Sequence, residues 1–166
     1  MDSMSEYRRW LGFVGEDELR ELKSIADNPA EIEDRFYRAL SFGTAGMRGV
    51  LGAGLNRMNT WNVIRATRAL AKYILSVPGG AERGVAIAYD SRKFSPEFAL
   101  EAALTLAASG VKAMLFDSLR PVPVLSYTVR HLGAIAGVVI TASHNPPAYN
   151  GYKVYWEDGG QIAPER

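Results

Sequence analysis

Cysteine is absent from the 166 residues of this chain, and histidine occurs only twice. A chain without thiols has neither disulfides nor thiolate metal ligands, so disulfide-rich secreted scaffolds and zinc fingers are excluded. The same absence fits a reducing compartment and is the first reason to predict a cytoplasmic location.

The chain also lacks an excess of charge of either sign. Nineteen lysines and arginines face eighteen acidic residues, which gives a net charge of +1, and there is no basic run. A nucleic-acid-binding domain usually concentrates positive charge on one face. The sequence therefore predicts no nucleic-acid partner.

Long hydrophobic runs are missing as well. The N-terminus, MDSMSEYRRW, has no apolar segment of the kind a signal peptide needs. The longest stretch without Asp, Glu, Lys or Arg is 131–152, and it contains histidine, asparagine and a pair of prolines. Such a stretch is unsuited to crossing a bilayer, so no membrane partner is predicted.

Four apolar, β-rich runs alternate with helical patterns in the second half of the chain. The runs are GVAIAYD (84–90), VKAMLFD (111–117), AIAGVVITA (134–142) and GYKVYW (151–156). This order predicts an α/β fold, with a mixed, mostly parallel four-stranded sheet in a three-layer α/β/α domain. The fourth run follows the third after only eight residues. That connection is too short for a helical crossover, so we expect the last strand to be antiparallel and at the edge.

Helices are predicted before and between these strands. Residues 1–40 are predicted to be an N-terminal helical segment, and residues 41–166 the main domain. A helix over about 60–76 would be capped by Asn59 or Thr60. IAPER (162–166) resembles the start of a further helix.

The stretch TASHNPPAYNGYK (141–153) places Ser143 directly after a buried strand and stiffens the exit with two prolines. One interpretation is that Ser143 and Asn145 are turn formers that bond their own backbone. The other is an exposed hydroxyl held still for chemistry. A hydrolase nucleophile is disfavoured because no G-x-S-x-G elbow surrounds the serine, and because His144, as its direct neighbour, would normally point away from it.

Two further segments could bind an anion or form an ordinary loop. GTAGMRG (43–49) has three glycines that allow backbone amides to converge, and Arg48 can fork onto phosphate oxygens. The alternative interpretation of GTAGMRG is a tight structural turn.

Lys153, taken alone, is typical of an edge strand that it protects from aggregation. Asp90 and Arg92, in AYDSR, are predicted to shape the rim of the site.

In order along the chain, FGTAGMRG, AYDSR, LRPVPVLSY and TASHNPPAYNGYK resemble the first domain of the α-D-phosphohexomutases. This is the phosphoglucomutase/phosphomannomutase family. The resemblance covers roughly residues 40–163, and FGTAGMRG, NRMN and YNGYKVYWEDGGQI are most similar to its phosphoglucomutase/phosphopentomutase-like branch.

The resemblance implies an intramolecular phosphotransferase with a phosphosugar as its small-molecule partner. Such an enzyme interconverts a sugar 1-phosphate and 6-phosphate, or a pentose 1- and 5-phosphate, through a phosphoserine and a sugar bisphosphate that is intermediate and activator. By the same resemblance the catalytic residues would be Ser143, His144, Lys153 and Arg48, and the phosphate-binding residues Thr44, Gly46, Arg48, Asn145 and Lys153.

The resemblance also implies Mg²⁺, with Ser143 as a ligand through its phosphate. Members of the family carry a D-x-D-x-R metal loop in a second domain, and no D-x-D occurs in this sequence. We therefore expect the chain to be an N-terminal domain that is inactive alone and works with later mutase domains in cis. A non-catalytic module that binds phosphate or a phosphosugar is the alternative.

Overall fold

A computed structural model of the chain describes residues 2–43 and 46–162. The helices are α1 (Ser3–Leu11), α2 (Glu16–Ser24), α3 (Pro29–Phe36), α4 (Thr60–Leu75), α5 (Gly80–Arg83), α6 (Ser95–Ala108) and α7 (Val122–Leu132). The strands are β1 (Phe42–Gly43), β2 (Gly46–Val50), β3 (Val85–Tyr89), β4 (Ala113–Leu115), β5 (Ala136–Ile140) and β6 (Tyr149–Trp156).

Helix starts follow the capping residues of the sequence. The Asn59 side chain accepts a hydrogen bond from the backbone N–H of Asn62 (3.0 Å), which fixes the start of α4. Asn28 caps α3 in the same way, with Pro29 in its first turn. The helix predicted over about 60–76 is confirmed as α4, and Asn59 rather than Thr60 is the cap.

The strands of the described residues form one sheet in the order β1-β2-β6-β5-β3-β4. Strands β4, β3 and β5 are parallel to one another. Strand β6 is antiparallel to β5, and β2 and β1 continue the sheet in antiparallel pairs. The parallel part places the ends of β3 and β5, and hence Asp90 and the loop after Ile140, at the same edge of the sheet.

Three details of the predicted sheet are wrong. The sheet has six strands in the described residues rather than four, and three of its five pairings are antiparallel. The last strand is antiparallel as predicted, but it lies inside the sheet and not at its edge. The reason is that the glycine-rich segment, read as a loop, pairs as β2 with β6, with Arg48 opposite Gly151.

Helices cover both faces of the sheet, so the predicted α/β/α layering is confirmed. Helices α4 and α6 pack on one face around a core that includes Val85, Ile87 and Tyr152. Helix α7 packs on the other face, where Leu125 and Val129 are fully buried.

The first three helices have a small core of their own. Its buried members are Tyr7, Trp10, Leu22, Ile32, Phe36, Ala53 and Leu55. The last two come from the loop after β2, so this core joins the helical segment to the rest of the chain. In the described residues, no helix is both long enough and apolar enough to cross a bilayer.

Candidate functional site

The loop between β5 and β6 carries Ser143 in an unusual backbone conformation. Ser143 is exposed and has a φ of +55°, a left-handed value that non-glycine residues rarely adopt. Its backbone N–H donates to the hydroxyl of Thr141 (3.0 Å), the buried residue that follows β5. The strand thus delivers the serine to the surface and the threonine fixes its peptide group.

Arg92 supports this loop by donating hydrogen bonds to backbone carbonyl oxygens. Its Nη2 donates to the carbonyl oxygens of Ser143 (2.7 Å) and Asn145 (2.6 Å). Its Nη1 donates to the carbonyl oxygens of Pro146 (3.0 Å) and Tyr149 (3.1 Å). With a side chain only 15% exposed, Arg92 acts as an interior support for the loop.

Asp90 in turn holds Arg92. Asp90 Oδ1 accepts hydrogen bonds from the backbone N–H of Arg92 (2.9 Å) and from the Ser95 hydroxyl (2.7 Å), and Oδ2 lies 3.5 Å from Arg92 Nε. The buried amide of Asn150 also donates to the Ser95 hydroxyl (3.0 Å). The end of β3, the start of α6 and the loop before β6 are therefore tied together beneath Ser143.

Arg48 reaches the same loop from β2. Its Nη1 donates to the side-chain oxygen of Asn145 at 2.6 Å. Because this partner is a neutral amide, the bond leaves the guanidinium charge unneutralised. A positive charge is thus held two residues away from Ser143, on an exposed side chain.

Lys153 lies half-buried on β6, opposite Val139 of β5. Burial lowers the pKa of Lys153 below its usual 10.5, the charge of Arg48 lowers it further, and that of Asp90 partly opposes the change. The two cations predicted for the site are therefore close enough to influence each other.

Gly46 leaves the space that Lys153 needs. Its φ is +90°, and a Cβ at this position would overlap the carbonyl oxygen of Tyr152 and come within 3.0 Å of Lys153 Cα. The glycine allows β2 to pack closely against β6, with the aliphatic part of the Lys153 side chain next to Gly46. Its role here is close backbone packing, and phosphate binding by its N–H stays a prediction.

The remaining predicted site residues are placed as follows. His144 is exposed, and no described side chain or backbone group hydrogen-bonds with it. Thr44 lies outside the described residues. The structure thus brings Ser143, Asn145, Arg48 and Lys153 to one region, with His144 at its surface.

Two open clefts flank this region. One, of about 520 Å³, is lined by Asp90, Ser91, Arg92, Lys93, Ser143, Asn145 and Pro147. The other, of about 420 Å³, has Arg48 on its wall, together with Arg38, Arg57 and Tyr149. Ser143 therefore opens on a space large enough for a small polar ligand. Arg48, on the wall of the second cleft, is hydrogen-bonded to Asn145 on the wall of the first.

The described residues do not form a metal site by themselves, since they contain no group of three or more His, Asp or Glu side chains placed to hold an ion. Asp90, the carboxylate on the wall of the first cleft, is engaged by Arg92 and Ser95. The donors present here therefore do not fit a resident Mg²⁺ without ligands from elsewhere.

Sequence reasoning underestimated Arg92, which was expected only to shape a rim. The available signal was its position two residues after Asp90, at the end of the strand next to β5. Thr141 and Asn150 were missed because their partners are backbone and hydroxyl groups that no local pattern reveals.

Comparison with known proteins gives a consistent result. Residues 39–166 match the family described as phosphoglucomutase/phosphomannomutase, alpha/beta/alpha domain I. The chain is 47% identical over 135 residues to a phosphoglucomutase of Staphylococcus epidermidis, covering 81% of this chain and 24% of that protein. It is 44% identical over 140 residues to a probable phosphoribomutase of Schizosaccharomyces pombe, covering 84% and 24% respectively.

A crystal structure of a protein from Thermus thermophilus, described as a phosphomannomutase, has a similar fold. The TM-score is 0.69 and the identity 37%, over 76% of this chain and 28% of that one. The chain thus spans about a quarter of the length of the relatives it matches.

Proposed function

Because the chain belongs to the phosphoglucomutase/phosphomannomutase family, we propose that it is the phosphoryl-carrying domain of a phosphosugar mutase that is longer than this chain. Residues 41–166 form the carrier, and the helical segment 1–40 supports it. The whole protein would act in the cytoplasm, with its later domains in cis, on a phosphosugar small enough to enter the cleft at Ser143.

The observation that carries this proposal is an exposed serine, on a loop held by hydrogen bonds, close to Arg48, which has no acidic partner among the described residues. Ser143 is held by Thr141 and Arg92, and Arg48 is bonded to Asn145 in the same loop. Phosphoryl transfer depends mainly on positioning and on neutralising charge, and a phosphoserine carries about −1.5 to −2 charge near pH 7.

The proposed reaction exchanges one bond for another at phosphorus in each of two steps. In the first step the bond from Ser143 Oγ to phosphorus breaks as a bond from a sugar hydroxyl oxygen to the same phosphorus forms, and the proton of that hydroxyl passes to Ser143 Oγ. In the second step the bond between the other sugar oxygen of the bisphosphate and its phosphorus breaks as a bond from Ser143 Oγ to that phosphorus forms, and the serine proton passes to the released sugar oxygen. The net change is an isomerisation of the sugar monophosphate.

Within this scheme Arg48 neutralises phosphate charge, while His144 and Asn145 hold the phosphoserine. Lys153 lies near the reacting oxygens, and its lowered pKa makes it easier for the amine to give up a proton. A Mg²⁺ ion would supply further positive charge in the whole protein, with its protein ligands from another domain and the phosphate on Ser143 as the link.

Intact-mass analysis tests the carrier role directly. After incubation with glucose 1,6-bisphosphate we expect a mass increase of one phosphoryl group in the protein that contains this domain. Ser143→Ala abolishes the increase because the accepting oxygen is gone. Ser91→Ala is the matched control, since Ser91 lines the same cleft and should leave the increase intact.

Failure of the whole protein to take up phosphate, together with retained phosphosugar binding, would favour a non-catalytic binding module. A coupled assay of glucose 1-phosphate to glucose 6-phosphate conversion then addresses turnover. We expect negligible turnover by the 166-residue chain, and robust turnover by it would contradict the need for other domains.

A further inference from the structure

The hydrogen bonds of Arg92 fix the direction of the peptide group that follows Ser143. The carbonyl oxygen of Ser143 accepts from Arg92 Nη2 at 2.7 Å. All peptide bonds in the described residues are trans, and in a trans peptide the N–H points opposite to the C=O. The N–H of His144 therefore points away from Arg92, toward the outer side of the loop.

The hydrogen-bonding state of the His144 N–H differs from that of its neighbours. Among the described residues this N–H has no hydrogen-bond acceptor, whereas its neighbours on either side are satisfied. The N–H of Ser143 donates to Thr141 Oγ1 and that of Asn145 to the carbonyl of Ala142 (3.1 Å). Because His144 directly follows Ser143 and is exposed, its N–H lies within reach of a group attached to Ser143 Oγ.

The two prolines remove the N–H from two of the other peptide groups that Arg92 holds. Arg92 also holds the carbonyl oxygens of Asn145 and Pro146. The nitrogens of those two peptide groups belong to Pro146 and Pro147, which have no N–H to turn outward. Of the three loop peptide groups whose carbonyls face this guanidinium, only the one after Ser143 therefore has an N–H to direct outward, that of His144. The fourth carbonyl that Arg92 holds, that of Tyr149, belongs to strand β6.

We propose that Arg92 is a positioning residue that directs the backbone N–H of His144 toward the phosphoryl group on Ser143. This rests on the proposed function for its purpose, because a phosphoryl group is what the donor would meet. Arg92 touches no reacting atom in this role. Its guanidinium orients the peptide, and the peptide N–H donates to a phosphate oxygen whose charge it stabilises.

The test places phosphoserine at position 143 by encoded incorporation, so that it does not depend on any mutase activity. Amide proton and ³¹P NMR spectra of the chain are then recorded between about pH 5 and 8, around the phosphate pKa, with and without the phosphate. We expect the His144 amide proton to move downfield on phosphorylation and to titrate together with the phosphate. We expect the pKa of that phosphate to lie below the value of about 6 found for free phosphoserine.

Arg92→Lys keeps the positive charge but loses the planar fork that holds several carbonyls at once. In this variant we expect loss of the downfield shift and a return of the phosphate pKa toward its free value. Arg83→Lys is the matched control. Arg83 also donates to two carbonyls, those of Gly133 (2.8 Å) and Ala134 (3.3 Å), but at the opposite end of the sheet. It should leave both readouts unchanged.

Two outcomes overturn the proposal. One is a wild-type His144 amide that does not respond to phosphorylation, and this arm needs no variant to fold. The other is an Arg92→Lys chain with a dispersed, folded spectrum in which the His144 response is retained. Absence of phosphate uptake from glucose 1,6-bisphosphate would instead count against the proposed function, with the amide response still measurable.

Discussion

At the scale of one residue, burial and a neighbouring charge together lower the pKa of Lys153. Its pKa is lowered first by burial and then by Arg48, and Asp90 partly offsets the effect. A lysine in this state loses its proton at a lower pH than a surface lysine does. The folded chain therefore binds fewer protons at this site than the unfolded chain, over the pH range between the lowered pKa and 10.5.

We expect Arg48→Met to raise the pKa of Lys153, because one of the two lowering causes is removed. The value should stay below 10.5, because burial remains. An NMR titration of the lysine side-chain resonances measures the change. Arg38→Met is the control, since Arg38 shares a cleft with Arg48 but is not among the groups that shift the pKa of Lys153. An unchanged Lys153 titration in Arg48→Met would contradict the coupling.

The same pKa shift has a consequence for stability. Since the unfolded chain binds more protons between the lowered pKa and 10.5, the free energy of unfolding rises with pH through that window. Arg48→Met should flatten this rise, which urea unfolding at a series of alkaline pH values would show.

Residue types alone identified most of the candidate site, but not the hydrogen bonds that hold its loop in place. Ser143, Arg48 and Lys153 could be named from TASHNP, GTAGMRG and the resemblance they carry. Arg92 could not be given its role, because its partners are backbone carbonyls brought near by the pairing of β3 with β5. The sequence shows which donor is present, but the tertiary fold determines which carbonyl oxygens accept its hydrogen bonds.

At the scale of elements, the pairing of β2 with β6 sets the position of both cations. Arg48 lies opposite Gly151, and Lys153 follows Tyr152, the partner of Met47, at the start of β2, where Gly46 leaves room for it. A Cβ at Gly151 would come within 2.7 Å of the Thr141 carbonyl oxygen and 2.9 Å of that of Met47, so this glycine too is needed where strands meet closely.

We expect Gly46→Ala to destabilise the chain by about 3 kcal/mol, the sum of left-handed backbone strain and overlap with β6. Gly110→Ala should cost only about 1 kcal/mol, because its φ of +80° is equally strained but nothing lies within 4 Å of its Cβ position. Urea unfolding of both variants provides the measurement. Equal losses would mean that close approach of β2 and β6 is not what requires glycine at position 46.

Element prediction succeeded where periodicity was strong and failed at the glycine-rich segment. The runs at 84–90 and 134–142 are almost entirely apolar and contain β3 and β5. Residues 46–50 combine two glycines with an arginine, which resembles a loop locally. Their strand conformation comes from hydrogen bonds to β6, a tertiary contact that no short window contains, and this pairing also moved β6 away from the edge.

At the scale of the whole molecule, an ion network joins the N-terminal helices to the sheet domain. Arg35 of α3 is bonded to Glu21 of α2, to Glu31 (2.8 Å) and to the carbonyl oxygen of Ala53 (3.1 Å). Its side chain is only 12% exposed. The network therefore links α2 and α3 to the loop that follows β2, which also contributes to the small core of α1–α3.

We expect Arg35→Met to reduce the free energy of unfolding by about 2 kcal/mol, because partly buried carboxylates and a carbonyl lose a charged donor. Arg20→Met should change it by about 0.5 kcal/mol or less, since its pair with Asp17 is fully at the surface. Chemical denaturation compares the two variants.

Hydrogen exchange would locate the loss in Arg35→Met. Faster exchange should be confined to α1–α3 and the loop after β2, with β3 and β5 still protected. Uniformly faster exchange across the sheet would show that the helical segment and the sheet unfold as one unit.

At Ser143 the left-handed backbone conformation reduces stability, whereas the proposed function requires the serine hydroxyl. Glycine would adopt a φ of +55° without the penalty of about 1 kcal/mol that a serine carries there. Mutation toward greater stability would therefore replace this serine, and with it the hydroxyl that we propose accepts a phosphoryl group. A serine that is retained at this position during evolution therefore indicates selection for its hydroxyl. In genes that are no longer under that selection, we expect the serine to be replaced early.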